Sequence, residues 1–266
     1  MINLSMFVLT GAIAGLHSAC WGSYRDPPYE KFSKLKFIRS IILGAILGVI
    51  LFYLLQFYNI VEGNLGIIFV FIMGFERVFT EFFKIFVREE DERKYKISMK
   101  FQYLGNTVKN KTKRFLIGIG FIISSFLIFH FLTLSNTTAS ISSNILIGLI
   151  AGVTVAFCGA WRASPFEGFS WRKFFKSPIS GLLSGIILGN FSQNFSLLFF
   201  GSIGMLHMIL QLVKIISLFL IGESAPSKFG EKKPIYKKYL KTRYIILLPY
   251  AFTWICFLIF LLGLFI

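Results

Sequence analysis

The sequence predicts an all-α polytopic membrane protein of about eight transmembrane helices, arranged as two tandem four-helix repeats. Three observations indicate this fold: the composition, a series of long apolar stretches, and an internal duplication. Apolar residues make up 55% of the 266 positions, and the mean hydropathy is +0.72. Such values are typical of a chain that crosses the bilayer several times rather than of a soluble domain.

Eight apolar stretches are long enough to cross a bilayer core, which requires about 20 helical residues. They cover residues 4–22, 40–58, 65–86, 115–133, 144–161, 179–196, 198–221 and 244–265. The stretches lack the alternation of polar and apolar residues that a membrane strand needs, so we expect helices.

An internal duplication relates residues 11–48 to residues 148–185 at a constant offset and without a gap. Glycines four residues apart recur in both copies: Gly11, Gly15, Gly44 and Gly48 in the first, and Gly148, Gly152, Gly181 and Gly185 in the second. Such spacing lets two helix backbones approach closely, so we expect these glycines at helix–helix contacts.

The duplication predicts the domain organisation. The first repeat covers residues 1–133, an outer linker covers 134–143, and the second repeat covers 144–266. An even number of helices gives both repeats the same orientation. We therefore expect a pseudo-two-fold axis along the membrane normal, as in transporters built from parallel repeats.

The net charge of +16 is distributed unevenly among the connections. Lysine and arginine concentrate in residues 23–39, 87–114, 162–178 and 222–243, and are missing from 59–64, 134–143 and 190–197. The positive-inside rule then places the basic loops in the cytoplasm and both termini outside. We attribute the charge to this orientation and to anionic lipids beside the basic loops, and not to nucleic acid.

Polar side chains interrupt two of the apolar stretches at matching positions, in GFERVFTEFFK (74–84) and GMLHMILQLVK (204–214). The spacing i, i+4, i+7 puts three of them on one helix face in each copy. The faces carry Arg77, Glu81 and Lys84, with Glu76 and Thr80 beside them, and His207, Gln211 and Lys214. Charges at this depth either pair with each other or line a polar pathway for a small ion or solute.

A second duplicated motif, R-x-x-P-[YF]-E-x-F, follows the first and fifth stretches. Pro28 and Pro165 are expected to stop the preceding helices and to force an extended turn. Across that turn Arg25 pairs with Glu30, and Arg162 with Glu167. Either each motif fixes its loop to the bundle, or the two together surround a cytoplasmic vestibule that leads to the polar faces.

No cofactor or metal ion is expected. The three cysteines, Cys20, Cys158 and Cys256, are scattered through apolar stretches and fit packing roles. His17 and His130 are expected to be hydrogen-bonded packing residues.

These features favour a channel or transporter for a small ion or a polar solute, with an anionic solute preferred. The first alternative is a membrane enzyme that acts on a lipid or isoprenoid from the cytoplasmic face. Its acid and base candidates are Glu30, Glu76, Glu81, Glu167 and His207. The second is a non-catalytic assembly protein. The expected partners are the lipid bilayer, its anionic lipids and a small solute, and oligomerisation is left open.

Overall fold

A computed structural model of the chain describes residues 3–89, 95–103, 105–135, 140–221, 229 and 233–264. Within these residues the protein is almost entirely helical. The helices are α1 (Leu4–Arg25), α2 (Pro27–Glu30), α3 (Lys34–Phe57), α4 (Leu65–Phe82), α5 (Lys111–Leu134), α6 (Ile141–Glu167), α7 (Trp171–Leu188), α8 (Phe195–Ile221), α9 (Lys238–Thr242) and α10 (Leu247–Leu261). A π-helical turn, Phe83–Val87, extends α4, and a 3₁₀ turn, Arg243–Ile246, precedes α10.

Six described helical segments are long and apolar enough to cross a membrane: α1, α3, α5, α6, most of α8, and Lys238–Leu261. They support the predicted all-α membrane protein. The other two predicted spans also form helices, α4 and α7, of 18 residues each. Each carries three charged side chains, which makes it less apolar than the rest. The number of eight transmembrane helices therefore stays a prediction.

Several helix boundaries differ from the sequence prediction, most of all at α3, α6 and α7. Helix α7 begins at Trp171 rather than at residue 179, because the Ser170 side chain accepts a hydrogen bond from the Lys173 amide and caps a helix that starts in the basic segment. Helix α6 also continues through Pro165 to Glu167. A proline in the last turn removes only one backbone donor, so the helix ends instead at Gly168, whose φ is 73°.

Three pairs of helices begin at side-chain caps that lie at matching positions of the two predicted repeats. In each case a side-chain oxygen accepts a hydrogen bond from a backbone amide of the first turn, which otherwise has no partner inside the helix. The capping residues are Asn3 and Ser140 for α1 and α6, Ser33 and Ser170 for α3 and α7, and Asn64 and Asn194 for α4 and α8.

Glycines bring the backbones of two helix pairs into direct contact. A Cβ atom added to Gly11 would collide with the carbonyl oxygen of Gly44 on α3, and one added to Gly148 would collide with that of Gly181 on α7. Gly15, Gly48, Gly152 and Gly185 face the opposing backbone in the same way. The pairs α1–α3 and α6–α7 are thus packed through the spacing that the sequence analysis singled out.

Helices α4 and α8 cross at the centre of the structure. Every residue of α4 from Leu65 to Glu76 is buried. A Cβ at Gly74 would collide with the carbonyl oxygen of Phe200, and one at Gly204 with that of Val70. The rings of Phe75 and Phe200 stack beside the crossing, with their centroids 4.4 Å apart. The part of α4 from Leu65 to Phe75 is therefore close-packed and apolar.

The basic connections lie at one end of the bundle, where hydrogen bonds join them to each other and to the helix ends. The Tyr236 amide donates to the carbonyl oxygen of Pro28 (2.9 Å), and the Trp161 indole donates to that of Gln102 (3.2 Å). Gln102–Tyr103 and Asn106–Thr107 form a small antiparallel hairpin there. We call this the basic end; it corresponds to the predicted cytoplasmic side.

A buried arginine anchors the connection between α4 and α5. Arg114 donates from Nε to the carbonyl oxygen of Phe86 (3.1 Å) and from Nη1 to that of Val108 (3.2 Å), and its third nitrogen pairs with Glu89. Hydrogen bonds from Lys100 and Arg114 lower the pKa of the Glu89 carboxyl. Glu89 therefore contributes stability that is present above the ordinary pKa of glutamate and is lost as the pH falls through the lowered value.

At the opposite end of the bundle, Glu62 links the connection between α3 and α4 to the connection between α7 and α8. Its carboxylate accepts a hydrogen bond from the Asn64 amide (3.0 Å) and another from the Ser192 side chain, between α7 and α8. Burial raises the pKa of Glu62, although these hydrogen bonds act in the opposite direction. The folded protein therefore binds this proton more tightly than the unfolded chain does.

Glu62→Gln is expected to stabilise the protein slightly, by less than about 1 kcal/mol near neutral pH, because glutamine keeps an acceptor oxygen and removes a buried charge. Wild type should gain stability as the pH falls through the raised pKa, and the variant should lack that gain. Thermal unfolding in detergent near neutral pH and at about pH 5 measures the difference. An equal gain in both proteins would contradict the prediction.

Candidate functional site

A cavity of about 190 Å³ lies at the basic end, between α1, α2, α3, α4 and α8. Exposed lysines, Lys31 and Lys36, stand on its outer part, and Met73 and Glu76 are the residues deepest along α4. Within the described structure the lining extends no farther up α4 than Met73. The cavity is therefore accessible from the basic end, and the apolar crossing of α4 and α8 lies beyond it.

The cavity carries more positive than negative charge. Its basic lining residues are Arg25, Lys31, Lys36, Arg39, Arg77, Lys84 and Arg88, and its acidic ones are Asp26, Glu30 and Glu76. Within the part of the chain that the structure describes, Lys31 and Arg39 form no ion pair. Arg39 lies over the ring of Phe83 instead, 5.7 Å from its centroid. Such a site attracts an anion.

Most of the polar faces predicted from the sequence meet at this cavity. Glu76, Arg77, Thr80, Lys84, His207 and Gln211 all line it. Lys214 is exposed and lies outside the lining. Helical spacing thus identified side chains of α4 and α8 that the fold brings together.

Glu81 does not line the cavity but forms the centre of an ion-pair cluster beside it. Its carboxylate lies 2.8 Å from Arg77 Nη2, 3.6 Å from Lys84 Nζ and 3.0 Å from Arg162 Nη1. Arg77 and Glu81, which share a helix face at i, i+4, therefore form an ion pair. The contact with Arg162 joins α4 to α6, which sequence spacing could not predict.

Glu76 has a different environment from Glu81, although both belong to α4. It is 6% exposed, and the Ser18 hydroxyl donates a hydrogen bond of 2.5 Å to its Oε2. Of the described residues, only Ser18 hydrogen-bonds to this carboxylate. The positive charges of Arg77, Lys84 and Arg39 also act on it. Glu76 is thus a buried acid that faces the cavity.

Two histidines lie in or next to the lining. His207 donates from Nδ1 to the carbonyl oxygen of Ile203 (2.7 Å), so a neutral ring keeps a lone pair on Nε2. His17 is fully buried between Thr253 (2.8 Å from Nδ1) and Gln211 (3.1 Å from Nε2). It connects the cavity residue Gln211 to α10, and is the hydrogen-bonded packing residue expected from the sequence.

The two proline motifs occupy different positions. Arg25 and Glu30 line the cavity, but Arg25 pairs with Asp26 (2.7 Å) and Glu30 with Lys36 (3.1 Å). In the second motif, Glu167 pairs with the exposed Lys173 (2.6 Å) outside the lining, and Arg162 reaches Glu81 as described above. The expected pairs within each motif are therefore replaced by others. In the first motif Pro27–Glu30 forms the short helix α2 in place of an extended turn, and in the second α6 continues to Glu167.

The two predicted repeats also differ in how their matching positions are covered. Cys20 is fully buried, whereas Phe157, its counterpart, is 63% exposed. Tyr24 is 2% exposed and its counterpart Trp161 is 58% exposed. Helix α10 packs against α1, and α5 does not pack against α6 to the same extent. The cavity accordingly belongs to one side of the bundle.

Ser18 and Arg39 were not identified from the sequence as site residues. A signal existed for Ser18, because it continues the Gly11/Gly15 face of α1 at a spacing of three. Arg39 precedes the glycine face of α3 but stands in a segment rich in basic residues, so its sequence position gave no reason to select it. Among the described residues, no three His, Cys, Asp or Glu side chains are grouped to hold a metal ion.

Comparison with known proteins gives no relative: no protein-family profile, no curated protein and no solved structure matches the chain. The class supported by the fold is an all-α, multi-pass membrane protein. Any statement about its activity therefore depends on the cavity.

Proposed function

We propose that this protein is a membrane transporter for a small anionic solute, which it binds in the cavity at the basic end. The excess of basic side chains in the lining carries this proposal, above all Arg39, which has no carboxylate partner among the described residues. By the positive-inside rule the cavity opens to the cytoplasm, and both termini lie outside.

A transporter fits better than an open channel. The buried, apolar residues of α4 above the cavity, Leu65 to Phe75, leave the solute access from one end only. Alternating access requires such a one-sided site in each state, whereas a conducting pore requires a continuous polar path.

We also propose that the chain consists of two tandem four-helix repeats, 1–133 and 144–266, related by a pseudo-two-fold axis along the membrane normal. Matching helix caps and matching glycine contacts support this. In this arrangement Thr80, Lys84, His207, Gln211 and Lys214 flank the route of the solute, and Glu81 holds the cations of α4 in place.

A membrane enzyme that acts on a phosphate-bearing lipid is the second candidate. The asymmetry of the cavity favours it, because Glu76 and His207 supply two different acid–base groups next to basic side chains that could bind a phosphate. Transport and catalysis differ in one measurable respect, since an enzyme would bind the anion without moving it across the bilayer.

Arg39→Gln is expected to weaken anion binding about tenfold, equivalent to about 1.4 kcal/mol, because it removes a lining cation that forms no ion pair among the described residues. Calorimetric titration of the protein in detergent with sulfate or with inorganic phosphate measures the affinity. Lys176→Gln is the matched control, since Lys176 occupies the same position in the second repeat and lies outside the cavity.

Uptake of labelled sulfate and phosphate into proteoliposomes completes the test. Uptake that falls in Arg39→Gln and is kept in Lys176→Gln supports transport. Binding without uptake supports the enzyme. Equal losses in both variants would mean that the net charge, and not the cavity, attracts the anion, and would contradict the proposal.

A further inference from the structure

The two carboxylates of α4, Glu81 and Glu76, differ in how their charge is compensated. Glu81 is surrounded by three cations at 2.8–3.6 Å. Glu76 is more deeply buried, faces the cavity and accepts a hydrogen bond from Ser18 alone among the described residues. Arg77 and Lys84, whose charges also act on Glu76, are already bound to Glu81. The charge on Glu76 is thus compensated only indirectly.

We infer that Glu76 binds a proton when the cavity binds its anion, so that the anion and a proton move together. This inference rests on the proposed function. It assigns to the same cavity a proton site and a mode of coupling.

The surroundings of Glu76 leave few other groups that could take up this proton. Helix α1 contributes the Ser18 hydroxyl and, about two turns farther along the cavity, Arg25 with its partner Asp26. Helix α2 contributes Glu30, which pairs with Lys36 of α3. Helix α3 also contributes Arg39, and α4 with its π-helical turn contributes Arg77, Glu81 and Lys84. Helix α8 contributes His207 and Gln211, and α10 has no charged residue. His207 is the other candidate carrier.

The coupling follows from electrostatics at a buried site. An ionised carboxylate and a bound anion repel each other, and the repulsion is strong where little water screens it. Without an anion, the charges of Arg77, Lys84 and Arg39 act on Glu76. An anion bound to these cations removes that compensation and adds its own negative charge. Binding of the anion therefore favours the protonated form of Glu76, and protonation favours the anion by the same free energy.

A proton on Glu76 also suits the local hydrogen bonding. The protonated carboxyl becomes a donor, and it can then bind either Ser18 Oγ or an oxygen of the anion. A monovalent anion accompanied by one proton crosses the membrane without transfer of net charge. The protein would thus be a proton–anion symporter.

The proton can be counted with sulfate as the probe, because sulfate takes up no proton near neutral pH. Calorimetric titrations of wild type with sulfate in buffers of different ionisation enthalpy give the number of protons bound per anion. We expect a net uptake that rises toward one proton per sulfate in the pH range where Glu76 is ionised without sulfate and protonated with it. In that range the sulfate affinity should fall about tenfold for each unit by which the pH rises.

Glu76→Gln should bind sulfate with no proton uptake and with an affinity that no longer depends on pH. Glu167→Gln is the matched control, because it removes an acid outside the cavity and should retain the wild-type proton count. Glu76→Asp, which keeps the acid, should retain the uptake as well. The wild-type proton count tests the inference even if Glu76→Gln does not fold.

The outcomes separate the two proposals. Sulfate binding without proton uptake would overturn the proton site and leave the anion cavity standing. Proton uptake that persists in Glu76→Gln would assign the proton to another group, with His207 first, and would also overturn it. Absence of sulfate and phosphate binding at every pH would overturn both the cavity and its proton.

Discussion

Gly74→Ala is expected to destabilise the protein by about 2–3 kcal/mol. The added Cβ would lie 2.0 Å from the Phe200 carbonyl oxygen, which is backbone and cannot move aside by a rotamer change. Helices α4 and α8 would have to separate, and the buried residues around the crossing would lose packing. Thermal unfolding in detergent should show a midpoint lowered by about 5–10 °C.

Gly120→Ala provides the control for this change. Gly120 lies in α5, and a Cβ there would have no described atom within 4 Å. Alanine also has a higher helix propensity than glycine, so this variant should be at least as stable as wild type. Equal unfolding midpoints for Gly74→Ala and Gly120→Ala would mean that the crossing is not close-packed.

Glu81→Gln is expected to cost about 2–3 kcal/mol, because it removes the one carboxylate shared by Arg77, Lys84 and Arg162. The three cations would remain close together in a site where the Glu81 side chain is only 19% exposed. Their mutual repulsion should loosen the contact between α4 and α6. The effect is measured by the midpoint of thermal unfolding and by the fraction of the detergent-solubilised protein that is monodisperse.

Glu167→Gln tests whether this cost comes from the cluster or from the loss of any ion pair. Its partner Lys173 has a side chain that is 65% exposed, so solvent screens the pair and the change should cost less than about 0.5 kcal/mol. If the two glutamate variants were equally stable, the cluster around Glu81 would contribute no more than a surface ion pair.

The sequence predicts the helices well and their ends less well. Apolar stretches mark the spans, because a helix in lipid must be apolar where it contacts lipid. They do not mark the ends, since α7 starts eight residues earlier than predicted, at a serine cap within a basic segment. Ser170 was a readable signal for that start, whereas the continuation of α6 through Pro165 depends on how near a proline lies to the end of its helix.

The site was predictable within each helix but not between helices. The i, i+4, i+7 spacing selected six side chains of α4 and α8, of which four line the cavity together with the neighbouring Glu76 and Thr80. The contact of Arg162 with Glu81 depends on how α6 approaches α4, and the position of Arg39 in the cavity lining depends on how α3 does. No spacing in the sequence encodes either approach. Equivalent positions such as Cys20 and Phe157 also differ in burial, because a neighbouring helix covers only one of them.

The crossing of α4 and α8 has one more consequence, which is mechanical. Each helix presents a glycine to a backbone carbonyl of the other, at Gly74 with Phe200 and at Gly204 with Val70. Interlocked side chains resist a change of crossing angle, because ridges must leave their grooves. Two bare backbones have no such ridges at their point of contact. This backbone contact is thus also a pivot, about which the two helices can tilt while they remain in touch.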